Sequence, residues 1–232
     1  MLVQVLIVRN IKLLSALAIC FLLGSICANA QEPAQTANPA DGPKKANARP
    51  ADVPVVPAEP FDGASVDKMR DQCVTLETDA GSIEIEFMPE VAPESVRNFL
   101  NLVVTGALDT TTFSRVVKDF VIQGGNLATS EKWGVELSKR AARKLPDEPS
   151  LVKHERGIVS MARGDEPNSA STHFFILVGP GQHLNGKFAA FGKVRKGMEV
   201  ADTINAAPKE GEKPEKPVRI NRAVVKPCPA MP

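Results

Sequence analysis

The residues that could do chemistry begin with an arginine in an unusual place. In the run FSRVVKDFVIQGGN, residues 113–126, Arg115 interrupts an apolar, strand-like stretch that ends in Gln123 and two glycines. In an extended chain Phe113, Arg115 and Val117 share one side, and Ser114 and Val116 take the other. A guanidinium among apolar side chains is costly unless it is paired, so Arg115 requires either an internal partner or a ligand. It offers five N–H donors in a rigid fork and cannot serve as a base.

Other chemistries find weaker support. Ser169, Ser171 and Thr172 lie near His173 and Asp165, but no nucleophile elbow surrounds them, and neighbours along a strand point in alternate directions. His154, His173 and His183 lack zinc-ligand spacing among themselves or with cysteine, so no metal site is expected. GPGQHLNGK is glycine-rich without the spacing of a phosphate loop, and IQGGN lacks the dinucleotide fingerprint, so no cofactor is expected. What remains is a charged donor beside Phe120, Val121, Phe175 and Leu184. Such a site suits a planar, neutral group with one acceptor and an apolar ring, and the peptide bond before proline is a group of that kind.

The chain that must position these residues opens with a processing signal. Arg9 and Lys12 precede LLSALAICFLLG, and ANA at 28–30 has the small-residue pattern of a cleavage site. The apolar run is short of the roughly 20 residues of a membrane span. Residues 1–30 are therefore expected to be a signal peptide cleaved near Ala30, with an uncleaved anchor as the alternative. That predicts a periplasmic or secreted protein. Neither Cys20 nor Cys27 follows the small residue usual in a lipoprotein signal. Cleavage leaves 26 basic against 27 acidic side chains, a balance with no electrostatic footprint for nucleic acid. RAARK, residues 140–144, reads as a solvated helix face.

Residues 31–71 read as a Pro/Ala-rich disordered spacer, with seven prolines and seven alanines between Gln31 and Pro60. The patterned domain is assigned to 72–228 and a short tail to 229–232. Val74, Leu76 and Thr78 alternate before DAGS, and Ile83, Ile85 and Phe87 after it, as in a hairpin. ESVRNFLNLVVTG behind Pro93 carries a helical stripe, and GMEVADTINAA predicts a second helix. Further strands fall at 112–117, 120–123, GIVSMA, HFFILV, AAFGKV and VRINRAVV. Eight strands and two helices predict a mainly β fold, a closed or nearly closed barrel capped by the helices. Residues 126–156, with the single tryptophan Trp133 and a candidate helical turn around WGVELSKRAARKL, read as a long functional loop. Cys73 begins the first strand and Cys228 lies just past the last. If those strands pair antiparallel a disulfide becomes geometrically possible, two free thiols or pairing with another chain being the alternatives.

Several ordered motifs together resemble the cyclophilin peptidyl-prolyl cis/trans isomerases. They are VTLETDAGSIEIEFMPEVAPESVRNFLNLV, FSRVVKDFVIQGGN, GIVSMARGDEPNSASTHFFILV and LNGKFAAFGKVRKGMEV. The resemblance covers about residues 73–225, and the SMARG…PNSAS form looks most like the bacterial exported branch. It implies a closed eight-stranded antiparallel barrel with two capping helices, acting on proline-containing polypeptides without cofactor or metal, as a monomer. It assigns Arg115 as the catalytic arginine with Gln123 beside it. Phe120, Val121, Phe175 and Leu184 would form the proline pocket, with Phe188 at its rim, and Ala162 and Arg163 would contact the substrate chain through their backbone.

Two positions depart from the family pattern. His173 stands where many members carry glutamine, and an unperturbed imidazole there would change charge near pH 6.5. His183 replaces a tryptophan or phenylalanine at the pocket edge, which implies weak binding of the inhibitor cyclosporin. The alternative to catalysis is a module that holds proline-containing segments in the same groove, and a purely structural role is a third possibility.

Overall fold

The computed structural model describes residues 58–228. The expected signal peptide, most of the spacer and the C-terminal tail fall outside the described residues.

Eight strands form one antiparallel sheet. In chain order they are β1 (Gln72–Thr78), β2 (Gly81–Phe87), β3 (Arg115–Val117), β4 (Val121–Gly124), β5 (Ile158–Met161), β6 (Phe174–Leu177), β7 (Ala190–Lys196) and β10 (Ile220–Pro227). Between the last two lies a separate hairpin, β8 (Lys209–Glu210) and β9 (Lys213–Pro214). The sheet order is β10-β1-β2-β7-β5-β6-β4-β3.

The sheet does not close. Its edges stand 13 Å apart, so the expected closed barrel is an open half-barrel. The reason lies in the backbone hydrogen bonds of β3. Closure would need a ladder between β3 and β10, yet the segment before β3 forms one isolated bridge, Thr112 to Arg219. The free side of β3 is taken instead by the small hairpin, where the Val116 amide donates to the Glu212 carbonyl at 2.8 Å. A strand count could not anticipate this insertion.

Helix α2 (Pro93–Val104) packs on the core face of the sheet. Phe99 meets Phe174 edge-on at 5.1 Å and Phe191 at 5.2 Å between ring centres. Its exposed N-terminal amides are capped from the long loop: the Glu148 carboxylate accepts from the amides of Glu94 and Ser95, each at 2.8 Å. Helix α4 (Met198–Ala206) holds the turn between β3 and β4 through the buried Asn205. The Asn205 side chain accepts from the Asp119 amide at 2.9 Å and donates to the carbonyls of Val117 and Val121. Cys73 and Cys228 are joined by a disulfide, with Cα atoms 4.9 Å apart.

Two further helices join the two expected; the first corrects the spacer reading, and the second lies where a helical turn was expected around WGVELSKRAARKL. Helix α1 (Val66–Arg70) lies within the stretch read as spacer, and α3 (Val135–Ala142) within the long loop. The folded part thus begins before Gln72. Phe61, Ala64 and Met69 are buried in the main core, and the Phe61 amide donates to Asn101 Oδ1 at 2.8 Å. RAARK is also not a solvated face throughout. Arg140, 11% exposed, pairs with Glu59 at 2.7 Å, and Arg143 pairs with Glu59 and Asp62 at 3.0 and 3.1 Å. Proline and alanine composition concealed this segment, because its anchors are a few isolated residues.

Removing Glu59 would leave the Arg140 guanidinium partly buried without its charge partner. Glu59→Ala should therefore lower the free energy of unfolding by about 2 kcal/mol, read from denaturant titration. An unchanged midpoint would show that residues 58–71 do not belong to the cooperative unit.

Candidate active site

The site is built by cross-strand register. Arg115 pairs opposite Gln123, Gln123 opposite Phe175, and Phe175 opposite Ser160, so these four residues form a row across β3, β4, β6 and β5. Directly opposed residues share a face. The next row on that face is Val117, Val121 and Leu177. On the other face Val116, Ile122, Ile176 and Val159 join the main core. Strict alternation would place Phe113 beside Arg115, but Phe113 is fully buried in that core. Residues 113 and 114 belong to no strand, so the alternation does not carry across them.

The Arg115 face therefore gathers a second apolar cluster, separate from the main core. Val121, Ile158, Phe175, Leu177, Leu184 and Ala190 form it, with Phe120, Ala162 and Phe188 packed at its margin. Leu184 arrives on a 3-10 turn, Gln182–Leu184, and Phe188 stands edge-on to Phe175 with centroids 6.0 Å apart. The result is a cavity of about 220 Å³ lined by Arg115, Phe120, Val121, Gln123, Ala162, Arg163, Phe175, Leu184 and Phe188.

Arg115 has an internal carboxylate partner at the mouth of this cup. Its Nε donates to Glu212 Oε2 at 2.6 Å and its Nη2 to Glu212 Oε1 at 3.1 Å, while Nη1 donates to Gln123 Oε1 at 3.1 Å. The pair is open to water, with side chains 42% and 55% exposed. The guanidinium beside Glu212 lowers that carboxyl below its ordinary pKa. The Arg163 guanidinium lies over the Phe188 ring at 5.2 Å, so its side chain, and not its backbone alone, shapes the rim.

The end of β4 explains the second of the two glycines. Gly125 has φ +80°, and a Cβ there would stand 2.1 Å from the Thr172 carbonyl oxygen. Thr172 Oγ1 donates to the Gly125 carbonyl at 2.8 Å. This close approach fixes β4, with Gln123, against the entry to β6, with Phe175.

Both site histidines lie outside the cavity lining. The His183 ring is tilted against Phe120 with centres 5.2 Å apart, and the His173 carbonyl accepts from the Ala162 amide at 3.0 Å. Two of the three hydroxyls near His173 are otherwise engaged: Thr172 as above, and Ser169 with the Gly164 carbonyl at 3.3 Å. A serine and a histidine do meet behind the cup. Ser160 Oγ is 3.0 Å from His154 Nε2, whose Nδ1 is 3.3 Å from Asn185 Oδ1. Both Ser160 and His154 are fully buried, so this array tethers the wall and faces no substrate. A larger cavity of about 780 Å³ lies beside α4 and the β3–β4 turn. It includes the Arg156–Asp202 ion pair and lacks the apolar cluster.

Residues 73–225 match the family described as cyclophilin type peptidyl-prolyl cis-trans isomerase. The chain belongs to the cyclophilin-type isomerases. It is accordingly an enzyme, a peptidyl-prolyl cis-trans isomerase acting on proline-containing polypeptides. A peptidyl-prolyl cis-trans isomerase of Dictyostelium discoideum is 38% identical over 157 residues, covering 67% of this chain and 98% of the relative. One from Arabidopsis thaliana is 41% identical over 141 residues, covering 60% of this chain and 62% of that longer relative. Among solved structures, the Cryptosporidium parvum cyclophilin crystallised with the dipeptide Ala-Pro has a TM-score of 0.59 and 31% identity. It covers 66% of this chain and 98% of its own. These relatives span distant taxa and mark no bacterial exported branch.

The sequence reading missed Glu212. PKEGEKP carries a turn signal, a glycine between charged residues, but nothing local ties it to an arginine 97 positions earlier.

Burial lowers the pKa of His154, despite the hydrogen bond to Asn185, and burial followed by the charge of Lys144 lowers that of His173. The unfolded chain then binds protons that the folded one refuses, so this contribution to stability is complete above about pH 6.5 and is lost as pH falls towards the depressed values. The melting temperature should drop between pH 7 and 5, and the drop should shrink in His173→Gln. A flat profile, or an undiminished drop in the variant, would contradict the burial account.

Proposed function

We propose that Arg115 stabilises the twisted amide of a bound Xaa-Pro bond. The prolyl amide is planar because its nitrogen shares a lone pair with the carbonyl, and its barrier to rotation is about 20 kcal/mol. As the bond twists the nitrogen becomes pyramidal and regains that pair, so a donor fixed nearby binds the transition state more strongly than the ground state. The cup of Phe120, Val121, Phe175, Leu184 and Phe188 holds the ring. Gln123 shares the arginine's hydrogen bonds, and Ala162 and Arg163 border the path of the preceding residue. Lowering the barrier by about 6 kcal/mol gives somewhat over ten-thousandfold. No proton transfer and no covalent adduct are needed.

The observation that carries this reading is the shared cavity. A polarising, rigid donor and an apolar cup large enough for a five-membered ring face one another across a single register row. The clients we propose are exported polypeptides, since the N-terminal 30 residues have the pattern of a cleaved signal and imply a periplasmic or secreted bacterial enzyme. A chain that meets an oxidising compartment also suits the Cys73–Cys228 bridge. His183 offers less apolar surface than a larger aromatic at the pocket edge, which supports weak cyclosporin binding.

Arg115→Ala should cost at least about a hundredfold in kcat/KM, as losing a charged transition-state donor does elsewhere, with the circular dichroism spectrum unchanged. Magnetisation-exchange NMR on a short Xaa-Pro peptide measures the isomer exchange directly. Turnover at the wild-type rate by the variant would refute the role of Arg115. Peptide binding by the wild-type protein without faster exchange would instead mark a holding module.

A further inference from the structure

The carboxylate of Glu212 takes one edge of the guanidinium and leaves the rest for substrate. Of the five N–H groups of Arg115, Nε–H and one on Nη2 go to the two Glu212 oxygens, and one on Nη1 goes to Gln123. One N–H on each of Nη1 and Nη2 has no hydrogen-bond partner among the described residues. A side-on bidentate pair fixes the plane of the guanidinium, which a single hydrogen bond cannot do.

Glu212 is itself held. Its carbonyl accepts from the Val116 amide at 2.8 Å, one residue from Arg115 along β3. It sits directly after Gly211, which turns the hairpin with φ +58°, and the hairpin arms pair Lys209 with Pro214 and Glu210 with Lys213. Lys209 Nζ donates to the Asn205 carbonyl at 3.0 Å, tying the arm to the end of α4. The carboxylate therefore approaches Arg115 from an anchored backbone and not from a swinging loop.

We propose that Glu212 is a positioning residue: by gripping the Nε–Nη2 edge, it aims the remaining guanidinium donors into the proline cup. The inference rests on the assignment of Arg115 as the transition-state donor. An exposed ion pair adds little to stability, so its effect belongs to geometry and appears in turnover. Freed from Glu212, the arginine spreads over several rotamers, and the correctly aimed one must be recovered in each catalytic event.

The test measures isomer exchange for Glu212→Ala, Glu212→Asp and Arg115→Ala, each with its melting temperature, together with the side-chain 15N–1H resonance of Arg115 Nε. Glu212→Ala should lower kcat about tenfold with KM within about twofold, an unchanged melting temperature, and a Nε–H that exchanges faster with water. Glu212→Asp, which can still reach with one oxygen, should recover part of the lost kcat. Wild-type or higher kcat in Glu212→Ala, alongside an inactive Arg115→Ala, would overturn the positioning role alone. Wild-type kcat in Arg115→Ala would overturn both assignments. Equal losses in the alanine and aspartate variants with a lowered melting temperature would show that Glu212 merely supports the fold.

Discussion

A guanidinium beside apolar side chains must have its charge answered, and the way this chain answers Arg115 organises the site. Burial of the arginine against an internal carboxylate would have sealed it from any substrate. Full exposure would have left it mobile. The structure takes neither course. Glu212 answers the charge from the solvent side, the Gln123 amide oxygen accepts from the sheet side, and the remaining donors lie at the mouth of an apolar cup. A neutral substrate can then meet a charged donor without displacing its counter-ion.

The opening in the sheet and the site have a common cause. If β3 were laddered to β10, its outer hydrogen-bonding edge would be occupied by a neighbouring strand. The hairpin of β8 and β9 sits there instead, and the bond from the Val116 amide to the Glu212 carbonyl brings the carboxylate within reach of Arg115. The geometry around Arg115 thus goes together with the incomplete closure. Asn205 then matters to both, because it pins the turn between β3 and β4 and its carbonyl receives the lysine of the hairpin.

The gathering of Arg115, Gln123 and the cup residues round one cavity was legible in the sequence because all of them lie in motifs that occur in order along the chain, and Arg115, Val121, Gln123 and Phe175 lie in short strands. The opposition of Arg115 to Gln123 follows from a tight antiparallel pair, which local sequence can specify. Glu212 was not legible: its partner is distant in the chain, and PKEGEKP looks the same whether its turn faces solvent or an active site. Phe61 and Glu59 were hidden for a different reason, since a few anchors within proline-rich sequence leave no periodic trace. The strand number of the main sheet was readable, but not the added hairpin, and the gap between the two edge strands depends on which segment reaches the β3 edge first, which no strand count contains. The placement of His173 and His183 outside the cavity lining likewise depends on loop paths that the strand pattern does not fix.

The central claim is that the guanidinium, aimed by Glu212, faces the imide nitrogen of a proline seated in the cup. The structure of this protein with a bound Xaa-Pro peptide tests it most directly. The account predicts the pyrrolidine ring between Phe120 and Phe175, an Arg115 Nη within hydrogen-bonding reach of the prolyl nitrogen, and the two bonds to Glu212 intact. A peptide seated elsewhere, or an arginine that abandons Glu212 and turns from the ring when the peptide binds, would contradict it.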